Sequence, residues 1–220
     1  MSTLKRVLLF ASFLLLVTAP AMAQSGSAWL RFVHVIPGAS AVDVYTDGQL
    51  TATDLEYGSA TNYISVPAGA HTLRVTQANG ENAIWEQPIE PSEGAALTLV
   101  ASSAADAAFQ VYQDDLNPID LGKARFTAVH AISDVPSVDI LLADGRPVIP
   151  NLELNQPYGT LDLPTGAYEL GVVATGQGIA DALVPAEAIK FDSGTSYILL
   201  AYGTEAAPAM LLLSAPTRAS

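Results

Sequence analysis

The chain contains one sequence unit written twice, and this repeat restricts the fold more than any other feature. Each unit opens with an Arg-Phe pair followed by a His, and the two histidines, His34 and His130, stand 96 residues apart. A repeat of that length indicates two whole domains in tandem, because the units of solenoid proteins are only about 20–50 residues long. The matching segments are 31–36 and 125–132, 42–44 and 138–140, 47–48 and 144–145, 57–58 and 158–159, 66–69 and 163–166, and 94–101 and 194–201.

Each copy has the pattern of an all-β domain. Short segments rich in Val, Ile, Leu, Tyr and Thr alternate with clusters of Gly, Pro, Asp and Asn about every 8–12 residues. The Asp47-Gly48 pair favours a tight hairpin turn. About seven short strands in about 90 residues are typical of a two-sheet sandwich. The sequence therefore predicts two tandem immunoglobulin-like antiparallel β-sandwiches, at 24–117 and 118–220, joined by a short linker near 117–123.

Residues 1–23 have the pattern of a secretory signal peptide. Lys5 and Arg6 give a positive start, an apolar run follows, and small residues precede the expected cleavage site between Ala23 and Gln24. The apolar run of about 11 residues is shorter than the roughly 20 that a membrane-spanning helix needs. We therefore expect a periplasmic or secreted protein that has no membrane span in its mature chain. With no cysteine in the sequence, we also expect no lipid anchor.

Charge and composition exclude several classes of function. The chain has 9 basic and 22 acidic side chains and a net charge of −13, which disfavours nucleic acid as a partner because phosphates are bound by Lys and Arg. The absence of cysteine excludes disulfides, thiolate zinc sites and a cysteine nucleophile. Half of the residues are hydrophobic, so the chain can build buried cores.

A His followed nine residues later by an Asp recurs in both copies, as His34 with Asp43 and His130 with Asp139. If the two strands of each copy form a hairpin, the His lies opposite the Asp with Cβ atoms about 4.5–5.5 Å apart. The carboxylate would then raise the pKa of the histidine. The commoner role of such a pair is a cross-strand hydrogen bond that satisfies a partly buried polar group. The alternative is half of a metal or acid–base site.

The same hairpin register assigns the faces of the first strand. Because side chains alternate along a strand, Val33 and Val35 would share the core face with Val42 and Val44. Phe32 would then lie on the opposite face, beside the His and the Asp.

Little in the sequence points to catalysis or to a bound cofactor or metal. No Gly-x-Ser-x-Gly elbow is present. Asp114 and Asp115 with Asp120, and Asp181 with Glu187, form acidic clusters that could hold Ca²⁺. Neither cluster follows the Asp-x-Asp-x-Asp-Gly loop pattern, so solvated loop charge is the preferred interpretation.

Trp29 and Trp85 have no counterparts in the second copy. Each is more often a plug of a core or of a domain interface than a sugar-stacking platform. If the protein binds a ligand between its repeats, these two tryptophans or the tyrosines are the candidates to line that cleft.

The recurring residues resemble a bacterial family catalogued as domain of unknown function 4397. Its pattern of a His, a Pro-containing turn, Val-Asp-Val-Tyr and Asp-Gly is matched by His34, Pro37, 42–45 and 47–48. The second copy departs from it, with Leu141 in place of the Tyr and an extra residue before Asp144-Gly145. The resemblance implies exported immunoglobulin-like domains of the cell envelope, and it carries no catalytic residues to transfer.

We therefore expect a non-catalytic structural or protein-interaction module, outside the cytoplasm, that meets a protein or glycan at the cell surface. Loops carried on a rigid sandwich can recognise a partner without any chemistry in the strands. The first alternative is a carbohydrate or small-ligand receptor that uses the cleft between the repeats. The second is a hydrolase with an unrecognised carboxylate pair.

Overall fold

The computed structural model describes residues 26–102, 109–157 and 159–218. Within these ranges every regular element is a β-strand except one short 3-10 helix, Ile179–Asp181, which confirms the prediction of an all-β fold. The predicted signal peptide with its cleavage site, and Tyr158 of the repeat pattern, lie outside the described residues. No helix in the described ranges is long and apolar enough to cross a membrane.

The first repeat forms strands that follow the predicted alternation of apolar segments and turns. These strands are β1 (Ser27–Val35), β2 (Val42–Thr46), β3 (Gln49–Leu55), β4 (Ser59–Ala60), β5 (Ile64–Pro67), β6 (His71–Gln77), β7 (Ala83–Ile89), β8 (Ala96–Ser102) and β9 (Phe109–Gln113). The turn between β2 and β3 is the predicted Asp47-Gly48 pair, with φ of +52° and +77°. Positive φ at both central residues is what a type I′ hairpin turn requires.

The second repeat follows after a connection at 114–122. Its strands are β10 (Lys123–Ser133), β11 (Ser137–Leu142), β12 (Pro147–Glu153), β13 (Leu161–Pro164), β14 (Gly166–Ala174), β15 (Val184–Phe191), β16 (Thr195–Thr204) and β17 (Ala207–Pro216).

Each repeat contributes two sheets, and corresponding sheets have the same strand order. In the first repeat, sheet A has the path β4-β1-β8-β9 with β5 also paired to β1, and sheet B has the order β3-β2-β6-β7. In the second repeat, sheet C has the order β13-β10-β16-β17 and sheet D the order β12-β11-β14-β15. The shared order shows that the sequence repeat is also a repeat of topology.

The sheets differ from a purely antiparallel sandwich at one strand pair in each repeat. β1 pairs with β8 in parallel, and β10 pairs with β16 in parallel, whereas the other pairs of named strands are antiparallel. Every residue of β8 is buried. Parallel strands are usually covered on both faces and are mostly apolar along their length, as are β8, in which Thr98 interrupts the apolar residues, and the middle of β16.

One apolar core fills the space between the two sheets of each repeat. Phe32, Leu73 and Leu99 are fully buried between sheets A and B. Phe126 and Leu170 are fully buried between sheets C and D.

A third core joins the two repeats, and it corrects the predicted faces of β1. Val33 and Val35 pack there, together with Val100, against Leu200 and other side chains of sheet C. Phe32, predicted on the opposite face from Val42 and Val44, instead shares the core of the first sandwich with them. The prediction failed because sheet A is covered on both faces, so an apolar row does not identify which core it enters. The sheets therefore stack in the order B, A, C, D.

Candidate functional site

Both recurring histidines are completely buried and have a hydrogen bond at each ring nitrogen. His34 donates from Nε2 to the Ser40 carbonyl at 3.1 Å and accepts at Nδ1 from the Ile36 N–H at 3.5 Å. His130 repeats this arrangement with the Val135 carbonyl at 2.8 Å and the Ile132 N–H at 3.3 Å. Each ring therefore stabilises, through these two hydrogen bonds, the connection that follows the first strand of its repeat. This geometry requires the neutral ring with its proton on Nε2.

The predicted contact between His34 and Asp43 does not form. β1 and β2 lie in different sheets, A and B, so the connection between them is an arch rather than a hairpin. His130 and Asp139 are separated in the same way, because β10 belongs to sheet C and β11 to sheet D. Arch and hairpin connections of similar length share the same turn residues. The sequence pattern therefore does not distinguish an arch from the predicted hairpin.

The predicted rise in the histidine pKa is also wrong in sign. Burial lowers the pKa of His34 and of His130, and the backbone carbonyl that accepts from each ring offsets only part of this effect. A second proton would sit on Nδ1, facing an N–H donor that already points at it. Neither ring has a lone pair left for a metal or a substrate.

The recurring aspartates stabilise a different part of each sandwich, by accepting hydrogen bonds from backbone N–H groups. Asp43 accepts the Asp54 N–H at Oδ1 (2.8 Å) and the Asn79 N–H at Oδ2 (3.0 Å). Both donors lie in the left-handed region, with φ of +48° and +59°. Burial pushes the pKa of Asp43 upward, but these two hydrogen bonds and one from the Thr53 side chain together outweigh it and hold the pKa below its ordinary value. The carboxylate thus stabilises an irregularity in β3 and the turn after β6.

Asp139 does the same in the second repeat. Its Oδ1 accepts the Asn151 N–H at 2.7 Å and the Thr175 hydroxyl at 3.2 Å, and its Oδ2 accepts the Gly176 N–H at 3.0 Å. Asn151 and Gly176 also have positive φ, of +50° and +84°. The equivalence of Asp43 and Asp139 extends to the conformation of their partners.

The third histidine has a structural counterpart in a tyrosine. His71 donates from Nε2 to the Pro67 carbonyl at 2.7 Å, and Tyr168 donates its hydroxyl to the Pro164 carbonyl at 2.9 Å. His71 also contacts Asp47 at 2.6 Å, and this hydrogen bond raises the pKa of the ring. The two side chains differ in chemistry but close the same turn.

A buried ionic network lies where the two repeats meet, and sequence reasoning did not identify it. Arg31 donates to Asp114 at 3.1 Å and to the Thr98 hydroxyl at 2.8 Å, and it reaches the Ser214 carbonyl of the second repeat at 3.4 Å. Tyr63 donates its hydroxyl to Asp114 while its ring lies 4.6 Å from the Arg31 guanidinium carbon. The sequence feature that could have indicated this network is an arginine within a mostly apolar strand, which occurs in both copies as Arg31 and Arg125.

Burial dominates the electrostatics of this network. It raises the pKa of Asp114 despite the adjacent Arg31, and it raises the pKa of Tyr63. The Asp114 side chain is 2% exposed, and its Oδ1 has no hydrogen-bond partner among the described residues. The arrangement links the repeats, but it offers one carboxylate rather than the opposed pair that a hydrolase would use.

A groove of about 310 Å³ opens beside this network, between the repeats. It is lined by Arg31, by 60–63 of the first repeat and by 211–214 of the second. Of the aromatics predicted for such a cleft, Tyr63 lines the groove and the two tryptophans do not. Trp85 packs edge-on against Phe109 inside the first repeat, with ring centroids 4.1 Å apart. Trp29 is 37% exposed and lies 5.7 Å from the Arg218 guanidinium carbon.

In the first of the two clusters considered for Ca²⁺, the carboxylates have cationic partners, which for Asp114 is Arg31. Asp115 pairs with Arg125 at 3.0 Å, and Asp120 pairs with Lys123 at 2.9 Å. Within the described part of the chain, no group of three or more His, Asp or Glu side chains is placed to hold a metal ion.

Comparison with solved structures finds distant likenesses to other proteins. A family 41 carbohydrate-binding module of streptococcal virulence factors is 13% identical with a TM-score of 0.29, over 84% of this chain and 96% of that one. A streptococcal virulence factor described as binding alpha-glucan is 12% identical with a TM-score of 0.26, over 83% and 95%. The Bacillus anthracis TIE protein is 13% identical with a TM-score of 0.25, over 80% and 33%. Likenesses this weak support no functional argument.

Comparison with curated protein sequences finds no match. The family described as domain of unknown function (DUF4397) matches residues 28–141 and again residues 127–220, and the chain therefore belongs to this family, as two copies in tandem.

Proposed function

We propose that the protein is an exported, non-catalytic interaction module that presents loops and sheet edges on a rigid double sandwich. The observation that carries the proposal is that the recurring polar residues all make structural hydrogen bonds. His34 and His130 are fully buried with both ring nitrogens bonded, and Asp43 and Asp139 are bonded to backbone N–H groups. The polar part of the repeated motif therefore serves folding, and it supplies no chemistry.

The stacking of the sheets suits such a role. Because the inter-repeat core is apolar and continuous between sheets A and C, the two repeats are held in one fixed arrangement. Loops on a fixed scaffold lose less conformational entropy when they bind than loops on a mobile one. The net charge of −13 favours solubility and steers basic partners toward the protein.

Three measurements on protein produced in its native cell type test this proposal. The intact mass of protein recovered outside the cytoplasm should correspond to a chain that begins at Gln24. Purified protein should show no turnover of peptide, ester or glycoside reporters, and chemical cross-linking on intact cells should join it to a defined envelope component. A cytoplasmic protein that keeps residues 1–23, or reporter turnover abolished by Asp114→Asn, would contradict the proposal.

The inter-repeat groove favours one second candidate, which is binding of a neutral glycan. The groove offers the exposed Asn62 amide, the half-buried Tyr63 and the partly exposed Leu212, a combination of polar and apolar contacts that suits sugars. Titration calorimetry with neutral oligosaccharides should detect binding that Asn62→Ala weakens at least tenfold. The control Gln49→Ala, on the exposed β2–β3 hairpin, should leave it unchanged. Absence of heat with every oligosaccharide removes this candidate.

A further inference from the structure

β17 is an edge strand of sheet C, and it differs from the other sheet edges in length and charge. It spans ten residues, Ala207–Pro216, none of which is charged. The edge strands β3, β7, β12, β13 and β15 each contain at least one carboxylate. The edge strands β4, β5 and β9 are uncharged but have at most five residues. Long uncharged edges are the ones that can add another strand.

The open side of β17 can be identified from its hydrogen bonds and its prolines. The Ser214 carbonyl accepts from Arg31, so it points away from the neighbouring strand β16. Backbone groups alternate in direction along a strand, and therefore Met210 and Leu212 also direct their N–H and C=O groups outward. Pro208 and Pro216 occupy outward positions as well, where their missing N–H costs no bond to β16. The open edge is thus bounded by a proline at each end.

The sequence of this edge is nearly symmetric about Leu212. Read from either end toward Leu212, the segment 208–216 has a Pro, an Ala, one residue that differs between the two directions, and a Leu. The residue that differs is Met210 from one end and Ser214 from the other. In an antiparallel pairing of two such strands about a twofold axis, Leu212 faces Leu212, Met210 faces Ser214, and Pro208 faces Pro216. Every outward N–H of one strand between its prolines then meets a carbonyl of the other, and the Ser214 carbonyl, which already accepts from Arg31, uses its second lone pair.

We propose that two copies of the protein associate through this strand, joining two four-stranded C sheets into one continuous eight-stranded sheet. The interface is isologous, as closed dimers require. A second copy is the fitting occupant because the register set by the prolines is self-complementary. Two chains that each carry a net charge of −13 can approach closely at an edge free of carboxylates.

This inference goes beyond the proposed function, which does not depend on the oligomeric state. Sedimentation equilibrium of the purified protein, at concentrations up to about 1 mM, should give twice the monomer mass at the upper end. Raising NaCl from about 0.1 M to about 1 M shortens the screening length from about 10 Å to about 3 Å and should increase the dimer fraction. This salt response follows from the like charge of the two chains.

Two matched variants locate the interface. Leu212→Lys places two ammonium groups opposite each other at the twofold axis, and it should shift the dissociation constant upward at least tenfold. Val111→Lys makes the same change on β9, the corresponding edge strand of the first repeat, where Val111 is 43% exposed, and it should leave the dissociation constant unchanged. Circular dichroism shows whether both variants remain folded.

Amide hydrogen exchange on the wild-type protein gives a test that needs no variant. The N–H groups of Met210, Leu212 and Ser214 should become protected as concentration rises, whereas those of β9 should not change. A wild-type protein that stays monomeric at all concentrations and salts overturns the proposal, as does a dimer that persists in Leu212→Lys. Binding of another protein to a monomer at this edge would overturn it equally.

Discussion

Replacing His130 by Leu tests the structural role assigned to the recurring histidines. Leucine fills much of the ring volume but can neither donate to the Val135 carbonyl nor accept from the Ile132 N–H. Both backbone groups would be left buried without partners, and each such loss costs about 1–3 kcal/mol. We therefore expect the free energy of unfolding to fall by about 2–6 kcal/mol. That is a large share of the roughly 5–15 kcal/mol that stabilises a typical domain.

The pH dependence of this loss carries the sharper information. Burial lowers the pKa of His130 below 6.5, so the unfolded chain binds the proton more readily than the folded one. The stabilising contribution is complete above about pH 6.5 and declines as pH falls toward the folded pKa, by at most about 1.4 kcal/mol per pH unit. The difference between wild type and His130→Leu should thus be largest near neutral and alkaline pH, and smaller near pH 5.5.

Urea unfolding of both proteins at several pH values, followed by circular dichroism, measures this difference. His71 has the opposite dependence because Asp47 raises its pKa, but it is present in both proteins and cancels. The control variant His71→Leu removes hydrogen bonds to the half-exposed Asp47 carboxylate and to the Pro67 carbonyl, and its cost should shrink as pH rises, the opposite of the pH dependence for His130→Leu. A difference for His130→Leu that stays below about 1 kcal/mol, or that grows as pH falls, would refute the reasoning.

Further variants test three other sets of contacts. Asp43→Ala and Asp139→Ala should each lower the free energy of unfolding by about 1–3 kcal/mol, because backbone N–H donors at positive φ lose their acceptor. Equal stability of the wild type and the variants in thermal unfolding would contradict this. Gly58→Ala should destabilise by about 1–3 kcal/mol, because Gly58 has a φ of +76° and a Cβ there would lie 2.6 Å from the Tyr202 hydroxyl oxygen. Tyr202→Phe should recover part of that loss, and a double-mutant cycle with no coupling would show that the two do not touch. Arg31→Met should lower the free energy of unfolding by about 3–5 kcal/mol, because it leaves Asp114 buried without its cationic partner. The same substitution should cost less in a protein that already carries Asp114→Asn. If denaturant unfolding shows that the losses from Arg31→Met and Asp114→Asn simply add, the result would argue against the network.

Much of the fold was readable from the sequence because its signals are local. The spacing of His34 and His130 revealed the duplication, and the Asp47-Gly48 turn was placed correctly because only residues tolerant of positive φ suit it. The parallel pairing of β1 with β8 was not readable, since it joins strands about 67 residues apart and leaves no local periodicity.

The recurring histidines and aspartates were identified as a set, but their contacts were not. The partners of Asp43 and Asp139 are backbone N–H groups, which any residue supplies, so no side-chain pattern marks them. Arg31 was visible as a charge in an apolar strand, yet its partner Asp114 lies 83 residues away and read as part of an acidic loop. Contacts that depend on how two sheets stack cannot be inferred from the spacing within one repeat.

The titration of the histidine rings tests the central claim most directly. Nitrogen-15 NMR of the imidazole rings distinguishes the neutral form protonated at Nε2 from the other neutral form and from the charged ring. His34 and His130 should both be neutral with the proton on Nε2, with pKa values below 6.5, and their signals should not respond to added Zn²⁺ or Ca²⁺. A pKa at or above 6.5 for either ring, a proton on Nδ1, or a shift on metal addition would contradict the assignment of these residues to folding.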